Sequence, residues 1–303
     1  MSRIFVILNA GSGGGHDDAL ARHIHGLFES AGQPAEVGLA RGGAQITAKI
    51  ADAIARGAEV IVAGGGDGTI STVAAALAGG DIALGILPLG TLNHFAKDLG
   101  LPLTLDAAVR QIAAGRRTQV DVGEVNGRVF VNNSGLGLYP DIVHDRDRQR
   151  RRMGRGKWLA LLWASVTALR RYPFLSVSLS VEGRAHRRRT PFVFVGNNAY
   201  RMEGFALGER EDLTGGRLSL YTAQRPGRLR LMQLALRALL GQLKQARDFD
   251  ALLATEFVIE SHHRHLRVAT DGEITVMKPP LRYRSRPAAL TVIGAATPDR
   301  PDR

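Results

Sequence analysis

The 303 residues contain no cysteine. Disulfides and thiolate metal sites are therefore excluded, and the chain suits a reducing compartment. Aromatic residues are scarce, at 6%. They do not alternate with the basic clusters, which argues against base stacking along a single-stranded nucleic acid. No apolar run reaches the roughly 18 residues needed to span a bilayer. The longest, Trp158 to Leu169, is broken by Ser165 and Thr167. The opening MSRIFVILNAGSGG lacks the plan of a signal peptide and reads as a strand and a loop. Acidic residues are in deficit: 28 Asp+Glu stand against 40 Lys+Arg, a net charge of +12. Such a balance favours an anionic partner, whether nucleic acid, an anionic membrane or a phosphorylated ligand.

What is present is globular in character, with 45% hydrophobic and 22% charged residues. The length allows two domains. Strands and helices alternate through the first 100 or so positions. Ile4 to Leu8, Pro34 to Leu39, Val60 to Ala63 and Ile82 to Leu87 read as strands. Leu20, Ile24, Leu27 and Phe28 mark one helix face, and Ile46, Ile50 and Ile54 another. This order implies a mostly parallel sheet with helices on both faces, an α/β, Rossmann-like domain. Three loops follow strand ends: Asn9 to Gly15, Gly64 to Thr69, and Pro88 to Asn93. That edge is where open α/β sheets bind ligands.

The central loop is Gly64-Gly65-Gly66-Asp67-Gly68-Thr69, between an apolar strand and a helix start. Glycines let the backbone approach a phosphate, and a helix N-terminus attracts anions. A carboxylate in such a turn is costly unless it binds something. Taken alone, the stretch also suits a tight β–α turn of any doubly wound protein.

Beyond about Thr118 the texture changes to short, often alternating strands, starting with a hairpin signal at Asn126-Gly127. The strand-like stretches are Leu175 to Val181, Pro191 to Val195, Arg217 to Tyr221, Glu256 to Ser261, Leu266 to Thr270 and Ile274 to Met277. Helical patterns interrupt them near Lys157 to Arg171 and Leu229 to Phe249. The expected division is an α/β domain over 1–125, joined by 286–296, a β-rich domain over 126–285, and a frayed tail over 296–303.

Gly65-Gly66-Asp67-Gly68-Thr69 with Pro88-Leu89-Gly90-Thr91-Leu92-Asn93 resembles the diacylglycerol kinase catalytic-domain family, which includes bacterial lipid kinases and sphingosine kinases. Asn9 and Gly11-Ser12-Gly13 resemble its first loop, with Ala10 where proline is usual. Asn132-Asn133-Ser134-Gly135-Leu136-Gly137, Val195-Gly196-Asn197-Asn198 and Asp271-Gly272-Glu273 resemble further landmarks, in the family's order. The resemblance covers roughly residues 3–295.

The resemblance implies an ATP-dependent phosphoryl transfer to a lipid hydroxyl. It also implies an antiparallel β-sandwich as the second domain, with the site in the cleft between the domains. ATP and Mg²⁺ are the implied cofactors. Gly64, Gly65, Gly66, Gly68 and Thr69 would cradle phosphates, with Asn9, Ser12, Gly90, Thr91 and Asn93 lining the nucleotide site. Asp67 would hold the catalytic Mg²⁺. Glu273 would be the general base, with Asp271 close behind. The turn chemistry of a hairpin between Leu266–Thr270 and Ile274–Met277 is by itself enough to place Asp271-Gly272-Glu273, and the family match favours the catalytic role.

Two departures from the family pattern stand out. His94 occupies a usual Asp position, which removes a negative ligand near the phosphates. A structural metal loop, matched near Asp212 to Leu218, carries Gly215 and Ser219 at its two acidic positions, so its metal is expected to be absent or weakened.

A lipid kinase meets its substrate at a bilayer. Arg146 to Lys157 and Arg184 to Arg189 read as cationic loops, the second at a hairpin tip, suited to an anionic surface. Arg228 to Arg247 reads as an amphipathic basic helix, a pattern equally met by a helix packed on the β domain. His262, His263 and His265 read as a surface strand rather than a metal site. The expected partner is a lipid at an anionic membrane surface, with no nucleic acid. The expected location is cytoplasmic, peripheral on the inner face of the membrane. The rival readings are an NAD kinase-like enzyme, which shares the Gly-Gly-Asp-Gly-Thr turn, and a catalytically silent lipid- or nucleotide-binding protein.

Overall fold

A computed structural model of the chain describes residues 3–11, 17–137, 175–181, 184–203, 206–210, 212–223 and 249–294. The contacts divide the chain into two units: Met1–Val122 with Arg286–Arg303, and Gly123–Ser285.

The first unit alternates strands and helices in the order β1 (Ile4–Asn9), α1 (Asp18–Ser30), β2 (Ala35–Ala40), α2 (Gly43–Ala55), β3 (Val60–Gly65), α3 (Asp67–Leu77), β4 (Ala83–Pro88), α4 (His94–Asp98) and α5 (Leu105–Ala114). Every residue of β3 and β4 is buried, as both faces of a parallel sheet require. The strands lie in the order β2-β1-β3-β4, all pairs parallel. The chain leaves β1 towards one side and β3 towards the other, so the sheet's switch point lies between their carboxyl ends. Ile24 and Phe28 of α1 are buried, and the core joins them to Leu8, Val62, Leu87 and Ile112. In α2 the buried stripe is Ile46, Ile50 and Ala53. Ile54, read from spacing as the third member, is exposed.

The hairpin of β5 (Arg117–Val125) and β6 (Arg128–Phe130) turns through Asn126 and Gly127, both at positive φ. Such left-handed pairs suit the twist of a two-residue hairpin loop. The remaining strands are β7 (Asn133–Gly137), β8 (Leu175–Val181), β9 (Arg184–Thr190), β10 (Phe192–Asn197), β11 (Tyr200–Glu203), β12 (Ala206–Arg210), β13 (Leu218–Ala223), β14 (Phe249–Ala254), β15 (Glu256–Ser261), β16 (Leu266–Thr270), β17 (Glu273–Met277) and β18 (Leu281–Ile293).

In the second unit one antiparallel sheet runs β14-β13-β10-β7-β16-β17. A second runs β18-β15-β8-β9, also antiparallel. The core draws Val193, Val195, Leu220 and Val268 from the first sheet and Val177, Leu179, Phe257, Ile259 and Tyr283 from the second. Alternate residues of both sheets thus face one another, which is the construction of a β-sandwich. Phe257 and Tyr283 stack at 5.0 Å within it.

Several expectations change. The stretch read as a cationic hairpin tip, Arg184 to Arg189, is the edge strand β9, and exposed arginines on an edge discourage further strand pairing. The final strand begins at Leu281, before the 286–296 stretch expected to join the first domain, and divides between the units: 281–284 pairs with β15, and Val292 pairs with Leu84. Phe249 opens β14, whereas the periodicity placed it at a helix end. His262, His263 and His265 lie in an exposed bend between β15 and β16 rather than on a strand. The stretch Arg146 to Lys157, the helical pattern Lys157 to Arg171 and the basic helix pattern Arg228 to Arg247 fall outside the described residues.

Candidate active site

The three loops at the carboxyl ends of β1, β3 and β4 are joined by specific contacts. Asn9 ends β1, and its Nδ2 donates to Oγ1 of Thr69 at 2.9 Å, across the switch point of the sheet. Its Oδ1 accepts from the Gly11 N–H at 3.0 Å, turning the first loop. Ser12, expected beside it, lies outside the described residues.

Steric contacts crowd an added side chain at three positions of these loops; a Cβ on Gly64 would stand 2.3 Å from Leu8 Cδ2. A Cβ on Gly65 would come within 2.6 Å of Thr69 Oγ1, and one on Gly90 within 2.6 Å of the Gly66 Cα. A Cβ on Gly68, by contrast, would meet nothing within 4 Å. The backbone of the β4 loop therefore lies directly against that of the β3 loop, and Gly68 is left facing open space.

Gly66 caps α3 without a side-chain hydrogen bond, and Asp67 is the first helical residue. The first N–H groups of a helix have no partner within it, and here the glycines leave them accessible to an anion. Asp67 is half-buried, and its Oδ1 accepts from the His94 N–H at 2.8 Å. The backbone at the departure from the family pattern thus fixes the Asp67 carboxylate, while the His94 side chain is exposed.

Asn93 is buried and left-handed (φ 51°). Its Oδ1 accepts from the Gly90 N–H, and its Nδ2 donates to the carbonyls of Pro88 and Gly90. The amide is thereby used within its own loop, where the sequence reading had it lining the nucleotide site. Thr91, at the loop's apex, is exposed.

Among the described residues no three His, Cys, Asp or Glu side chains gather in a metal-binding group. Magnesium bound with a nucleotide needs only one or two carboxylates beside the phosphates. Asp67, oriented by the His94 N–H in the glycine turn, fits as that one carboxylate.

In the second unit Asp271 and Gly272 form a two-residue turn with both φ values positive, 48° and 87°. Thr270 and Glu273 are the pair that closes it. Asp271 faces inward. Its Oδ2 accepts from Val131 N–H (2.8 Å), and its Oδ1 from Asn132 N–H (2.8 Å) and Asn133 N–H (3.0 Å). The carbonyls of the same segment are also used. Val131 O receives Arg210 Nη1 (2.6 Å) and Asn197 Nδ2 (3.0 Å). Asn132 O receives the Tyr200 hydroxyl (2.9 Å) and the Asn197 N–H. Segment 131–133 is thus bound on both edges by side chains, with Asp271 as its anchor.

Glu273 points outward and is exposed. Its Oε2 meets Arg128 Nη2 at 2.6 Å, and Arg128 Nε donates to Thr270 Oγ1 at 2.7 Å. Arg128, Arg210 and Tyr200 belong to none of the motifs read from the sequence. The only hint is the position of Arg128, directly after the Asn126-Gly127 turn.

At the loop matched to the structural metal site, Asp212 Oδ1 accepts from both the N–H and the hydroxyl of Thr214, each at 2.7 Å. Ser219 Oγ donates to the Asn198 carbonyl at 2.7 Å. Among the described residues the carboxylate at this loop is that of Asp212, already engaged in its own turn, which is a poor fit to a hard dication.

Comparisons with known proteins accord with this geometry. Residues 3–125 match the diacylglycerol kinase catalytic domain. Residues 141–294 match the YegS C-terminal NAD kinase β-sandwich-like domain. A protein of Cronobacter sakazakii named "Probable lipid kinase YegS-like" is 36% identical over 137 residues, covering 44% of this chain and 45% of its own length. A Pseudomonas aeruginosa protein of the same name is 48% identical over 91 residues, covering 29% of this chain and 30% of its own. The chain thus spans less than half the length of these curated relatives. The crystal structure of a diacylglycerol kinase from Bacillus anthracis superposes with a TM-score of 0.70 at 20% identity, covering 97% of each chain, which shows a shared fold. With both halves matched in this order, the chain belongs to the diacylglycerol kinase catalytic-domain family, in the form that carries the YegS C-terminal NAD kinase β-sandwich-like domain.

Proposed function

We propose that this chain is an ATP-dependent lipid kinase that transfers the γ-phosphoryl group of ATP to a lipid hydroxyl, that of diacylglycerol or a related lipid. The observation that carries the reading is the glycine-lined start of α3, where the backbones of Gly66 and Gly90 meet and Asp67 is aimed by the His94 N–H. Phosphoryl transfer asks mainly for positioning and charge neutralisation. In this reading the first-turn N–H groups of α3 hold the phosphates, and Asp67 holds Mg²⁺ at them. Bound magnesium supplies neutralisation of phosphate charge. Glu273 accepts the proton of the lipid hydroxyl as that oxygen bonds to the γ-phosphorus. The bond from phosphorus to the bridging oxygen breaks, and ADP leaves with its electron pair. Asp271 is assigned to positioning rather than to chemistry, because its carboxylate already accepts three N–H groups.

The net charge of +12 and the exposed Arg187, Arg188 and Arg189 support a lipid at an anionic membrane surface as the partner. Among the described residues no helix is long and apolar enough to cross a membrane. In this reading the protein acts from the cytoplasm, peripherally, on the inner face of the membrane.

The test is a radiolabelled-ATP assay over a panel of lipids in mixed micelles, with NAD as a separate acceptor. Labelling of a lipid is the expected result, and Glu273→Gln lowers kcat by about 10²–10⁴-fold while ATP binding persists. Labelling of NAD alone would favour an NAD kinase-like enzyme. Nucleotide binding with no labelled product would favour a silent binding protein.

A further inference from the structure

Glu273 begins β17 directly after a two-residue turn and projects into solvent. A glutamate there has three rotatable bonds and nothing from its own strand to hold it. A general base works only within hydrogen-bond reach of the proton it takes, so its carboxylate must be placed in advance. One side chain does this. Arg128 lies on β6, distant in sequence from the turn, and its guanidinium touches both residues of the closing pair. Nη2 reaches Glu273 Oε2 at 2.6 Å, and Nε reaches Thr270 Oγ1 at 2.7 Å. Thr270 is buried, so the planar fork is seated on a fixed support. The ion pair uses Oε2, and Oε1 of Glu273 has no hydrogen-bond partner among the described residues.

We infer that Arg128 is the positioning residue of Glu273: braced on Thr270, it fixes one carboxylate oxygen and presents the other for proton transfer. The inference rests on Glu273 being the base. Guanidinium geometry is required, since an ammonium is a point charge without the two-armed fork.

The alternative is a partly exposed ion pair that merely steadies the hairpin. Kinetics separate the two, because a steadying role moves the melting temperature and leaves turnover per folded molecule unchanged. The experiment measures kcat, the KM for ATP and thermal unfolding for Arg128→Ala, Arg128→Lys and Thr270→Val, with Arg128→Ala repeated in a Glu273→Gln background. We expect Arg128→Ala to lower kcat about 10–100-fold with the KM for ATP within about twofold, since a transition-state interaction alone is lost. Arg128→Lys recovers part of the loss, and Thr270→Val shows a smaller loss of the same kind. In the Glu273→Gln background Arg128→Ala costs nothing further, because the two residues act as a unit. Full kcat in Arg128→Ala, or an equal loss in both backgrounds, overturns the inference and leaves the assignment of the base standing. Near-normal activity of Glu273→Gln instead removes the base and the inference with it.

Discussion

A Cβ on Gly90 would stand 2.6 Å from the Cα of Gly66 and 2.8 Å from Oδ1 of Asn93. Two backbones from different loops touch at this point, and neither can retreat, because Asn93 ties its loop through three hydrogen bonds. Gly90→Ala must therefore push the β4 loop off the start of α3. We expect destabilisation of about 1–3 kcal/mol from overpacking, together with at least about tenfold weaker ATP binding, or ~1.4 kcal/mol. Gly68→Ala, whose added methyl meets nothing within 4 Å, leaves thermal unfolding unchanged. Calorimetric titration and thermal melts of both variants check this.

Asp271→Ala leaves three backbone N–H groups without their acceptor and places alanine at a left-handed φ of 48°. Unpaired amides cost about 1–3 kcal/mol each when buried. These are part-buried, so a total of about 3 kcal/mol is expected. Asp271→Asn retains one carbonyl acceptor and tolerates the left-handed backbone, so it loses less. Urea unfolding at equilibrium reads the difference as a shift of midpoint at constant m.

Chelation experiments probe the loop from Asp212 to Leu218. With Asp212 engaged by Thr214, and Gly215 and Ser219 at the acidic positions, the described residues of this loop give a dication little to bind. Ligands stabilise only the state they bind. We expect EDTA to leave the melting temperature of the nucleotide-free protein unchanged. A rise with millimolar Mg²⁺ in the absence of nucleotide that persists in Asp67→Asn would show that the loop holds a metal after all. In the presence of ATP, Mg²⁺ does stabilise, and Asp67→Asn diminishes that increment.

Tyr283 gives an alkaline signature. Its ring is buried between Phe257 and Phe130, and burial pushes its hydroxyl well above the ordinary tyrosine value, against a smaller opposing effect of the Ser134 hydrogen bond. The folded state therefore retains a proton that the unfolded state releases. The associated stability is complete below the unfolded value of about 10 and is lost as pH rises beyond it. Urea midpoints measured at and above this value should fall with pH in the parent protein and less steeply in Tyr283→Phe.

Much of the first unit was legible because parallel strands buried on both faces leave continuous apolar runs. Val60 to Ala63 and Ile82 to Leu87 read as strands, and β3 and β4 follow them within one or two residues. Spacing was less informative at the rim of a helix face, where Ile54 proved exposed and Ala53 buried. Alternation failed for β9: its arginines look like a solvated loop because an edge strand needs no apolar second face. The glycine turn was visible as a motif, and its neighbours in space were not. Nothing local indicates that Gly90 must clear Gly66, or that the His94 N–H holds Asp67, 27 positions away.

The sequence by itself determined what this protein lacks and what its elements are. It excluded disulfides, showed two textures of secondary structure, and carried motifs that name a lipid kinase family. Periodicity, turn residues and composition are local properties, set by which side chains can be buried and which backbone angles each residue tolerates. Only the tertiary structure decided how the site residues divide their work. It committed the amide of Asn93 to its own loop and the carboxylate of Asp271 to the N–H groups of residues 131–133. It also set Arg128 against Glu273, 145 positions apart. Such pairs are created by sheet register and chain crossing, which bring together groups that no local pattern relates.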